Sequence, residues 1–520
     1  MPRLRPRGSE MTPPQTDRQS STLARVSTGR SALGRSRAVS RPLVALLAIA
    51  TIQVVAWALV LPPFQGPDED AHFAYVQKLA ETGSGPVASG GNGRAISSEQ
   101  NAAMNEAQLR SLRGVLGARP AWSDAEQERW REVEATLSDA ESADGLGPNA
   151  VAQNPPLYYA LEAIPYHLAP GGSFFNRVYV MRLASAVFYL AIVGFMWLIA
   201  SELFRPLWAR TLATAVVALQ PKLAMLGGII NPDILLALTW TAFIYAGLLI
   251  VRRGPTPARL AGAGLATAAS VLTHGRGLPL VGALVALLVI AYVRWRPPRR
   301  DLLRGLAIAA GPALLALLAL YVFTSGGAAG GGVYGGEVSR LGAKGFDARE
   351  FLSYVWQFYM PRLDFMEPAI GPADYGFKQV YIQSFYGDLG WLEIELPRFA
   401  TDLLSLATLL LLLGLYTVVV RRPRDLRRAW PEVAFVLLTA LALIVTLHVS
   451  SYRDLLVNPS DPLITGRYLL PLVSVLAMGV TVVVMALPRR LAPIATGVVI
   501  AFGVVLQLSA LGITFVRFYA

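Results

Sequence analysis

The chain has 520 residues, of which 54% are hydrophobic and only 15% are charged. A water-soluble fold cannot bury so much apolar matter, so the composition predicts a protein whose first partner is the lipid bilayer. The formal charge of +12 does not indicate a nucleic-acid partner, because the arginines cluster in short loops between apolar runs. The absence of cysteine excludes disulfides and thiolate metal ligands or nucleophiles.

Residues 1–41 are rich in Arg and Ser, and only Glu10 and Asp17 among them are acidic. They lack apolar periodicity, which predicts a disordered tail. A cleavable signal or transit peptide is the alternative, because acid-poor N-termini rich in Arg and Ser are typical of transit peptides. The apolar run that follows is longer than a signal-peptide core and lacks a clean small-x-small cleavage site. We therefore interpret it as a retained anchor.

The remaining chain, 42–520, contains eleven apolar runs that approach the roughly 20 residues a helix needs to cross a bilayer. They lie near 42–62, 178–203, 209–227, 232–251, 258–273, 277–295, 302–323, 401–420, 432–449, 467–487 and 491–516. The predicted fold class is an all-α polytopic membrane protein with about eleven transmembrane helices. The run at 258–273 is short, and Pro221 and Lys222 interrupt the third run.

Basic residues fall in alternate loops, all on the side of the tail. They are Arg205, Arg210, Arg252, Arg253, Arg259, those of "RWRPPRRDLLR" and "RRPRDLRR", Arg489 and Arg490. Because basic loops stay on the inner face, the pattern predicts a multi-pass protein of the cell membrane with a cytoplasmic N-terminus. The other loops are then external.

Two of the predicted external loops are large, 63–177 and 324–400. The first contains "SSEQ" and "SDAEQERW", each with the Ser-x-x-Gln/Glu pattern of a helix start, which predicts interfacial or extramembrane helices. The second begins with the Gly-rich "SGGAAGGGVYGGE", which favours a flexible, lid-like loop.

Three acids, Asp68, Glu69 and Asp70, follow the first apolar run within "PPFQGPDEDAHF". A carboxylate near the apolar boundary is partly desolvated, which raises its proton affinity and suits it to act as a general base. A solvated acidic loop is the alternative. His72 and Phe73, which follow two and three residues after Asp70, favour the functional interpretation.

Basic residues at the predicted outer ends of helices could bind a phosphate. "THGRG" places His274 and Arg276 in a tight turn between two runs, and Arg467 begins the tenth run in "TGRYLLP". Arginine can bind phosphate in bidentate fashion. The alternative is an arginine that extends to the lipid head groups, which is common at helix ends.

Two further motifs have structural explanations of their own. "NPD" reads as a helix start, in which Asn231 is the cap and Asp233 lies beside the positive helix end. Asp233 could alternatively be a second active-site carboxylate or a cation ligand. "NPPLYYAL" sets Asn154 in an extended turn and Tyr158 with Tyr159 at the interface, where aromatic rings are favoured.

Four motifs together resemble one superfamily: "PDEDAHF", "NPPLYYAL", "NPD" and "GRYLLP". They are similar to the GT-C integral-membrane glycosyltransferases, which include protein O-mannosyltransferases and the aminoarabinose transferases of lipid A. Within it the chain looks most like the bacterial family called domain of unknown function 2142, with its Asp-Glu-x-x-His-Phe-like element. O-mannosyltransferases have one residue between Glu and His, and aminoarabinose transferases have Lys where this chain has Asn154.

The resemblance implies a GT-C-like fold and a transfer of sugar from a polyprenyl-phosphate-linked donor to an acceptor hydroxyl on the extracytoplasmic face. The acceptor would be a glycan, a glycolipid or a secreted protein. Asp68 would be the base, with Glu69 second, and Arg276 and Arg467 would hold the lipid phosphate. The other expected substrate-binding residues are Asp70, His72, Asn154, Tyr158, Asp233, His274 and Tyr468. The acids could also hold a divalent cation, Mg²⁺ or Mn²⁺, although no spacing demands one.

Other functions remain open. A transporter or flippase for polysaccharide or lipid-linked precursors would bind near the bilayer midplane through broken helices or buried charges. Here charge within the apolar runs is scarce. A polysaccharide polymerase or ligase of a different membrane fold would also use external loops, but it would not explain the acids after the first run.

Overall fold

The computed structural model describes residues 40–87, 93–120, 123–325, 345–372 and 375–520. Within these ranges the secondary structure is helical, with two isolated backbone bridges and no sheet. The predicted all-α fold class is therefore confirmed for the described residues. The predicted disordered tail and the Gly-rich lid-like stretch lie outside them, apart from a few residues at their edges.

The first half of the chain forms α1 (Arg41–Val60), α2 (Glu69–Thr82), α3 (Ser98–Glu106), α4 (Asp124–Glu134), α5 (Asp139–Ala143), α6 (Leu157–Leu168), α7 (Phe174–Leu203), α8 (Leu207–Ala218), α9 (Pro221–Gly227) and α10 (Asp233–Arg253). The second half forms α11 (Pro257–Thr273), α12 (Pro279–Trp295), α13 (Arg299–Ser325), α14 (Ala348–Tyr359), α15 (Arg398–Arg421), α16 (Pro423–Arg428), α17 (Trp430–Val457), α18 (Val473–Ala486) and α19 (Ala492–Tyr519). Short 3₁₀ turns at Leu109–Leu112, Pro170–Gly172, Gly275–Gly277 and Gly466–Leu472 and a π-helical turn at Lys378–Ser384 join some of them.

Within the described ranges, nine helices are long and apolar enough to cross a membrane. This confirms a multi-pass membrane protein but not the predicted number of eleven. The run at 209–227 divides into α8 and α9, because Pro221 lacks the N–H that a continuous helix needs. Helix α11 has 17 residues and measures about 25 Å, which is short of a hydrocarbon core of about 30 Å.

The basic loops gather at one end of the helix bundle. Arg252, at the end of α10, lies 3.3 Å from Glu202 of α7 and 3.5 Å from Glu432 of α17. Arg422, after α15, donates to the carbonyl of Ala486 at the end of α18 (3.5 Å). Helices α7, α10, α15, α17 and α18 therefore share what we call the arginine-rich end.

The residues between α1 and α7 form a helical layer at the opposite end. Ser123 and Glu126 make the predicted capping box of α4. At Ser97 only half of the box forms, because the Gln100 side chain donates instead to the carbonyl of Asp70 (2.9 Å). An ion pair between Glu99 of α3 and Arg177 in the first turn of α7 joins the layer to α7.

The residues between α13 and α15 cover the break between α8 and α9. The side-chain amide of Gln220, at the break, donates to the carbonyl of Phe385 (2.6 Å). The buried ammonium of Lys222 donates to the carbonyls of Gly387 (2.9 Å) and Asp388. This contact satisfies a buried cation at a point where the chain leaves helical geometry.

Candidate active site

Asp68 lies at the first turn after α1 and immediately precedes α2. Its backbone has φ 56° and ψ 14°, a left-handed conformation that asparagine and aspartate tolerate better than most residues. A carboxylate oxygen accepts a hydrogen bond from Arg467 Nη2 at 3.0 Å. The Asp68 side chain is 33% exposed, so one face of it stays open. The positive end of α2 also favours a negative charge here.

The adjacent acid, Glu69, has the opposite environment. It is completely buried, and its two oxygens accept from Nε and Nη2 of Arg182 at 2.7 Å each. The backbone N–H groups of Phe64 (2.9 Å) and Ile230 (3.2 Å) donate to the same oxygens. Arg182 also donates to three backbone carbonyls at the end of α1 and just after it. With every oxygen engaged, Glu69 does not fit its expected part as a second base.

Asp70 joins two segments of the chain. Its carboxylate lies 3.0 Å from Arg113, and the Arg113 guanidinium stacks on the ring of Trp391 at 4.1 Å. Trp391 belongs to the stretch before α15. Asp70 therefore connects the start of α2 to Arg113 and lies apart from the pair of carboxylates formed by Asp68 and Asp233.

Asp233 is the second carboxylate that comes to Asp68. Its N–H donates to the side-chain oxygen of Asn231 at 2.9 Å, as the capping interpretation of "NPD" predicted. The amide of Asn231 donates to the carbonyl of Pro67 at 2.9 Å, which ties this turn to the turn that carries Asp68. The start of α10 and the start of α2 are thereby held together.

Two arginines bind these carboxylates. Arg276 Nη2 donates to Asp233 Oδ1 at 2.7 Å, and Arg467 lies between Asp68 and Asp233, with its Nε 4.0 Å from Asp233 Oδ2. Both guanidiniums stack on the ring of Tyr468, at 3.8 Å for Arg276 and 5.2 Å for Arg467. We call these five residues the carboxylate–arginine cluster.

Several polar atoms of this cluster are buried without a hydrogen-bond partner among the described residues. They are Asp233 Oδ2, Arg276 Nη1 and Arg467 Nε. A buried polar atom without a hydrogen bond costs free energy, so native proteins rarely keep one without a reason. Two of the three atoms are guanidinium nitrogens, which can only donate. The third, Asp233 Oδ2, is a carboxylate oxygen and can accept, so the cluster contains both donors and an acceptor without hydrogen bonds.

The tight turn that carries Arg276 also holds His274. His274 Nδ1 accepts the Arg276 N–H at 3.1 Å, and Nε2 lies 3.1 Å from Arg276 Nη2. Burial, with the adjacent Arg276 charge, lowers the pKa of His274 well below its usual value. Only glycine fits at Gly277, because a Cβ there would meet the carbonyl of Ser270 at 2.0 Å. His274 therefore orients the turn and stays neutral.

His72 and the "NPPLYYAL" motif meet at a residue that the sequence analysis did not select. The hydroxyl of Tyr159 lies 2.9 Å from His72 Nδ1 and 2.9 Å from the side-chain nitrogen of Asn154. Burial lowers the pKa of His72 to about 4. Tyr158, which was expected to bind substrate, is buried and hydrogen-bonded to Ser185 at 2.9 Å. Adjacent residues of a helix face different sides, which separates the two tyrosines.

Arg182 and Tyr159 are the two site residues that the sequence analysis missed. An arginine within an apolar run, as Arg182 is within 178–203, is a signal in itself. Nothing local distinguishes Tyr159 from Tyr158. Among the described residues, no group of three or more His, Asp or Glu side chains is arranged to hold a metal ion. The binding of Mg²⁺ or Mn²⁺ therefore stays a prediction.

A protein-family model described as "Predicted membrane protein (DUF2142)" matches residues 52–476. Within those bounds lie the turn of Asp68 and Glu69, both tyrosines of "NPPLYYAL", and the carboxylate–arginine cluster. Among curated proteins, no sequence matches this chain significantly.

Three solved structures are similar to the chain. The apo structure of ArnT from Cupriavidus metallidurans has 14% identity and a TM-score of 0.45, covering 87% of this chain and 61% of that one. The archaeal oligosaccharyltransferase AglB from Archaeoglobus fulgidus, in complex with an inhibitory peptide and a dolichol-phosphate, has 12% identity and a TM-score of 0.48, covering 91% and 55%. The S. cerevisiae protein O-mannosyltransferase Pmt1-Pmt2 complex bound to its sugar donor has 13% identity and a TM-score of 0.36, covering 66% and 39%. This chain spans less than two thirds of the length of each.

Proposed function

The chain belongs to the DUF2142 family of membrane proteins, and from that premise we propose that it is a glycosyltransferase that uses a polyprenyl-phosphate-linked sugar. The observation that carries the proposal is the carboxylate–arginine cluster, with its open Asp68 and its unpaired guanidinium nitrogens at the ends of membrane helices. Such a site offers a base for an acceptor hydroxyl and cations for a phosphate.

Asp68 is the base in this proposal. A general base must be able to reach the proton it removes, and the open face of Asp68 allows a hydroxyl to approach. Glu69 is closed by Arg182, so it supports the turn that presents Asp68. The hydrogen bond from Arg467 fixes the position of the Asp68 carboxylate.

Arg276 and Arg467 bind the departing lipid phosphate. Negative charge builds on the phosphate oxygens as the sugar leaves, and fixed guanidinium donors stabilise that charge. Their N–H groups without a hydrogen bond are buried, so the cluster has to open before a phosphate oxygen reaches them. Tyr468 holds both guanidinium planes in place.

The proposed orientation places this site outside the cytoplasm. The basic loops gather at the opposite end of the bundle, which would face the cytoplasm of the cell under the inside-positive bias. The N-terminal tail would also be cytoplasmic. The acceptor would then be a glycan, a glycolipid or a secreted protein.

A transporter or flippase is the alternative, and the break between α8 and α9 with its buried Lys222 is the one observation in its favour. The Lys222 ammonium is already bound to the carbonyls of Gly387 and Asp388. The unpaired arginine nitrogens lie in the cluster at the helix ends, where a membrane-anchored phosphate would meet an acceptor from water. The geometry therefore supports the transferase better.

The test is transfer from a panel of undecaprenyl-phosphate-linked sugars by purified protein in lipid vesicles. Asp68→Asn should lose about 100-fold or more of the turnover, the usual contribution of a positioned general base. Asp70→Asn is the matched control, because it removes a neighbouring carboxylate that pairs with Arg113 instead. Full turnover by Asp68→Asn would remove the proposed base. Transport of intact lipid-linked sugar without any transfer would favour the alternative.

A further inference from the structure

Tyr159 makes a buried link between two polar side chains. Its hydroxyl lies 2.9 Å from the side-chain nitrogen of Asn154 on one side and 2.9 Å from His72 Nδ1 on the other. All three residues are buried. Their hydrogen-bond directions are therefore set by each other and not by water.

The directions follow from which atoms carry protons. The amide nitrogen of Asn154 can only donate, so it donates to the Tyr159 oxygen. A hydroxyl has one proton, and the remaining partner of Tyr159 is His72 Nδ1, so that proton points at the imidazole. Nδ1 is then an acceptor without a proton. In a neutral imidazole the proton must be on Nε2.

The link is also rigid. The rings of Tyr75 and Tyr159 are stacked, with centroids 3.6 Å apart and planes at 9°. The Tyr75 hydroxyl donates to the backbone carbonyl of Asn154 at 3.2 Å. Tyr159 therefore cannot turn away from His72 without breaking the packing between α2 and α6.

His72 lies among the charges of the cluster. Its electrostatic neighbours are Asp68 just before its own helix and Asp70 within it, Asp233 from the start of α10, Arg467 from the turn before α18, and His274 from the turn before α12. The dominant influence is burial, which lowers the pKa of His72 to about 4 and keeps the ring neutral at neutral pH. No hydrogen bond joins Nε2 to any residue in the described ranges.

We propose that His72 is held as a neutral Nε2–H tautomer that donates a hydrogen bond to a hydroxyl of the sugar being transferred. Asp68 immediately precedes α2, its carbonyl accepts the backbone N–H of His72 at 2.9 Å, and its carboxylate is the charge with the largest effect on the pKa of the imidazole. The Asp68 carboxylate and the His72 ring therefore lie beside the same part of the site. A neutral donor suits an uncharged hydroxyl, whereas the two guanidiniums suit the phosphate. The identity of the ligand rests on the proposed function, but the tautomer does not.

The tautomer is tested first, by NMR of protein labelled with ¹⁵N-histidine. The chain has four histidines, so the signals of His72 can be assigned by their loss in His72→Gln. Wild type should show the Nε2–H pattern for His72, and Tyr159→Phe should abolish this fixed pattern while the other three histidines stay unchanged. An Nδ1–H pattern, or a wild-type pattern retained in Tyr159→Phe, would overturn the proposal whether or not the protein transfers sugar.

The ligand is tested by binding of undecaprenyl phosphate with and without a linked sugar. His72→Asn keeps an amide near the position of Nδ1 but has no donor at Nε2, whereas His72→Gln can place an amide donor there. His72→Asn should weaken binding of the sugar-linked lipid about fivefold, the loss typical of one hydrogen bond between neutral groups, and His72→Gln should lose less. Binding of bare undecaprenyl phosphate should not change.

Equal losses for the bare and sugar-linked lipids would assign His72 to the phosphate and overturn the sugar contact. Unchanged binding in His72→Asn would overturn it as well. If wild type binds sugar-linked lipids but transfers no sugar from them, the proposed reaction fails while the tautomer and the sugar contact are still decided by these measurements. Thermal unfolding of each variant shows that a loss of binding does not come from loss of fold.

Discussion

The neighbouring acids Asp68 and Glu69 each contact an arginine, but the two ion pairs differ in how many of their hydrogen-bonding atoms have a partner. Glu69 and Arg182 are fully buried and use all their hydrogen-bonding atoms on each other and on the backbone. Asp68 and Arg467 form a looser pair, with one partly exposed carboxylate and one buried Nε that makes no hydrogen bond to the described residues. The closed pair holds the chain in place, whereas the open pair leaves atoms for a ligand. Residue type alone does not separate structural from functional charges, but the state of their hydrogen bonds does.

Breaking the closed pair should have the largest effect of the changes proposed here, and the effect should be on the free energy of unfolding. Arg182→Ala should lower the free energy of unfolding by about 3–5 kcal/mol, because it leaves Glu69 buried without a cation. Thermal unfolding of purified protein in detergent measures the change. The double variant Glu69→Leu with Arg182→Met should be more stable than Arg182→Ala, since it leaves no buried charge. Wild-type stability in Arg182→Ala would show that the pair has no structural part.

Breaking the open cluster should reduce ligand binding and cost less stability than breaking the closed pair, because Asp233 keeps Arg467 at 4.0 Å. Arg276→Ala should weaken binding of undecaprenyl phosphate by roughly 10- to 100-fold, the range for a hydrogen bond to a charged group. Arg113→Ala provides the control, because it removes an arginine that pairs with Asp70 instead. Equal losses in the two variants would mean that general charge and not the cluster attracts the lipid.

A third acid, Glu162, extends the comparison, because it is buried and forms no ion pair with an arginine among the described residues. Glu162 Oε1 accepts from Ser185 at 2.8 Å, and Oε2 is buried without a partner among the described residues. Burial raises the pKa of Glu162 from 4.5 to about 8. The folded state therefore keeps a proton that the unfolded state releases above the usual pKa, so stability should fall as pH rises towards 8 and then level off.

Glu162→Gln should remove this dependence, which amounts to at most about 1.4 kcal/mol per pH unit. The measurement is the unfolding temperature of wild type and variant between pH 5 and pH 9, with Glu128→Gln as a control that removes an exposed acid paired with Arg131. Parallel pH curves for wild type and Glu162→Gln would contradict a protonated Glu162.

The smallest expected effect concerns His72. Because the pKa of His72 is lowered to about 4, its charge should not change between pH 5.5 and pH 7. The rate of sugar transfer should therefore show no step there that depends on His72. A step near pH 6.5 that disappears in His72→Gln would place a titrating imidazole in the site.

The spans could be predicted from the sequence because apolar length and basic loops are local properties. The break at Pro221 was visible as well. The order of Asp68 before Glu69 as base came without a view of their partners, because only the packed structure shows that Arg182 closes Glu69 while Asp68 stays partly exposed. The contact of Asp68 with Arg467 joins residues 399 positions apart, which no local pattern reveals.

Arg182 also binds backbone carbonyls where the first helix ends. The carbonyl of Leu61, at the end of α1, accepts from an arginine that follows it by 121 residues. During synthesis, α1 enters the bilayer long before α7 exists, so its final carbonyls must wait for that later helix or stay near water. We therefore expect the turn that presents Asp68 to take its final shape only after α7 has inserted, which ties maturation of the site to the order of membrane insertion.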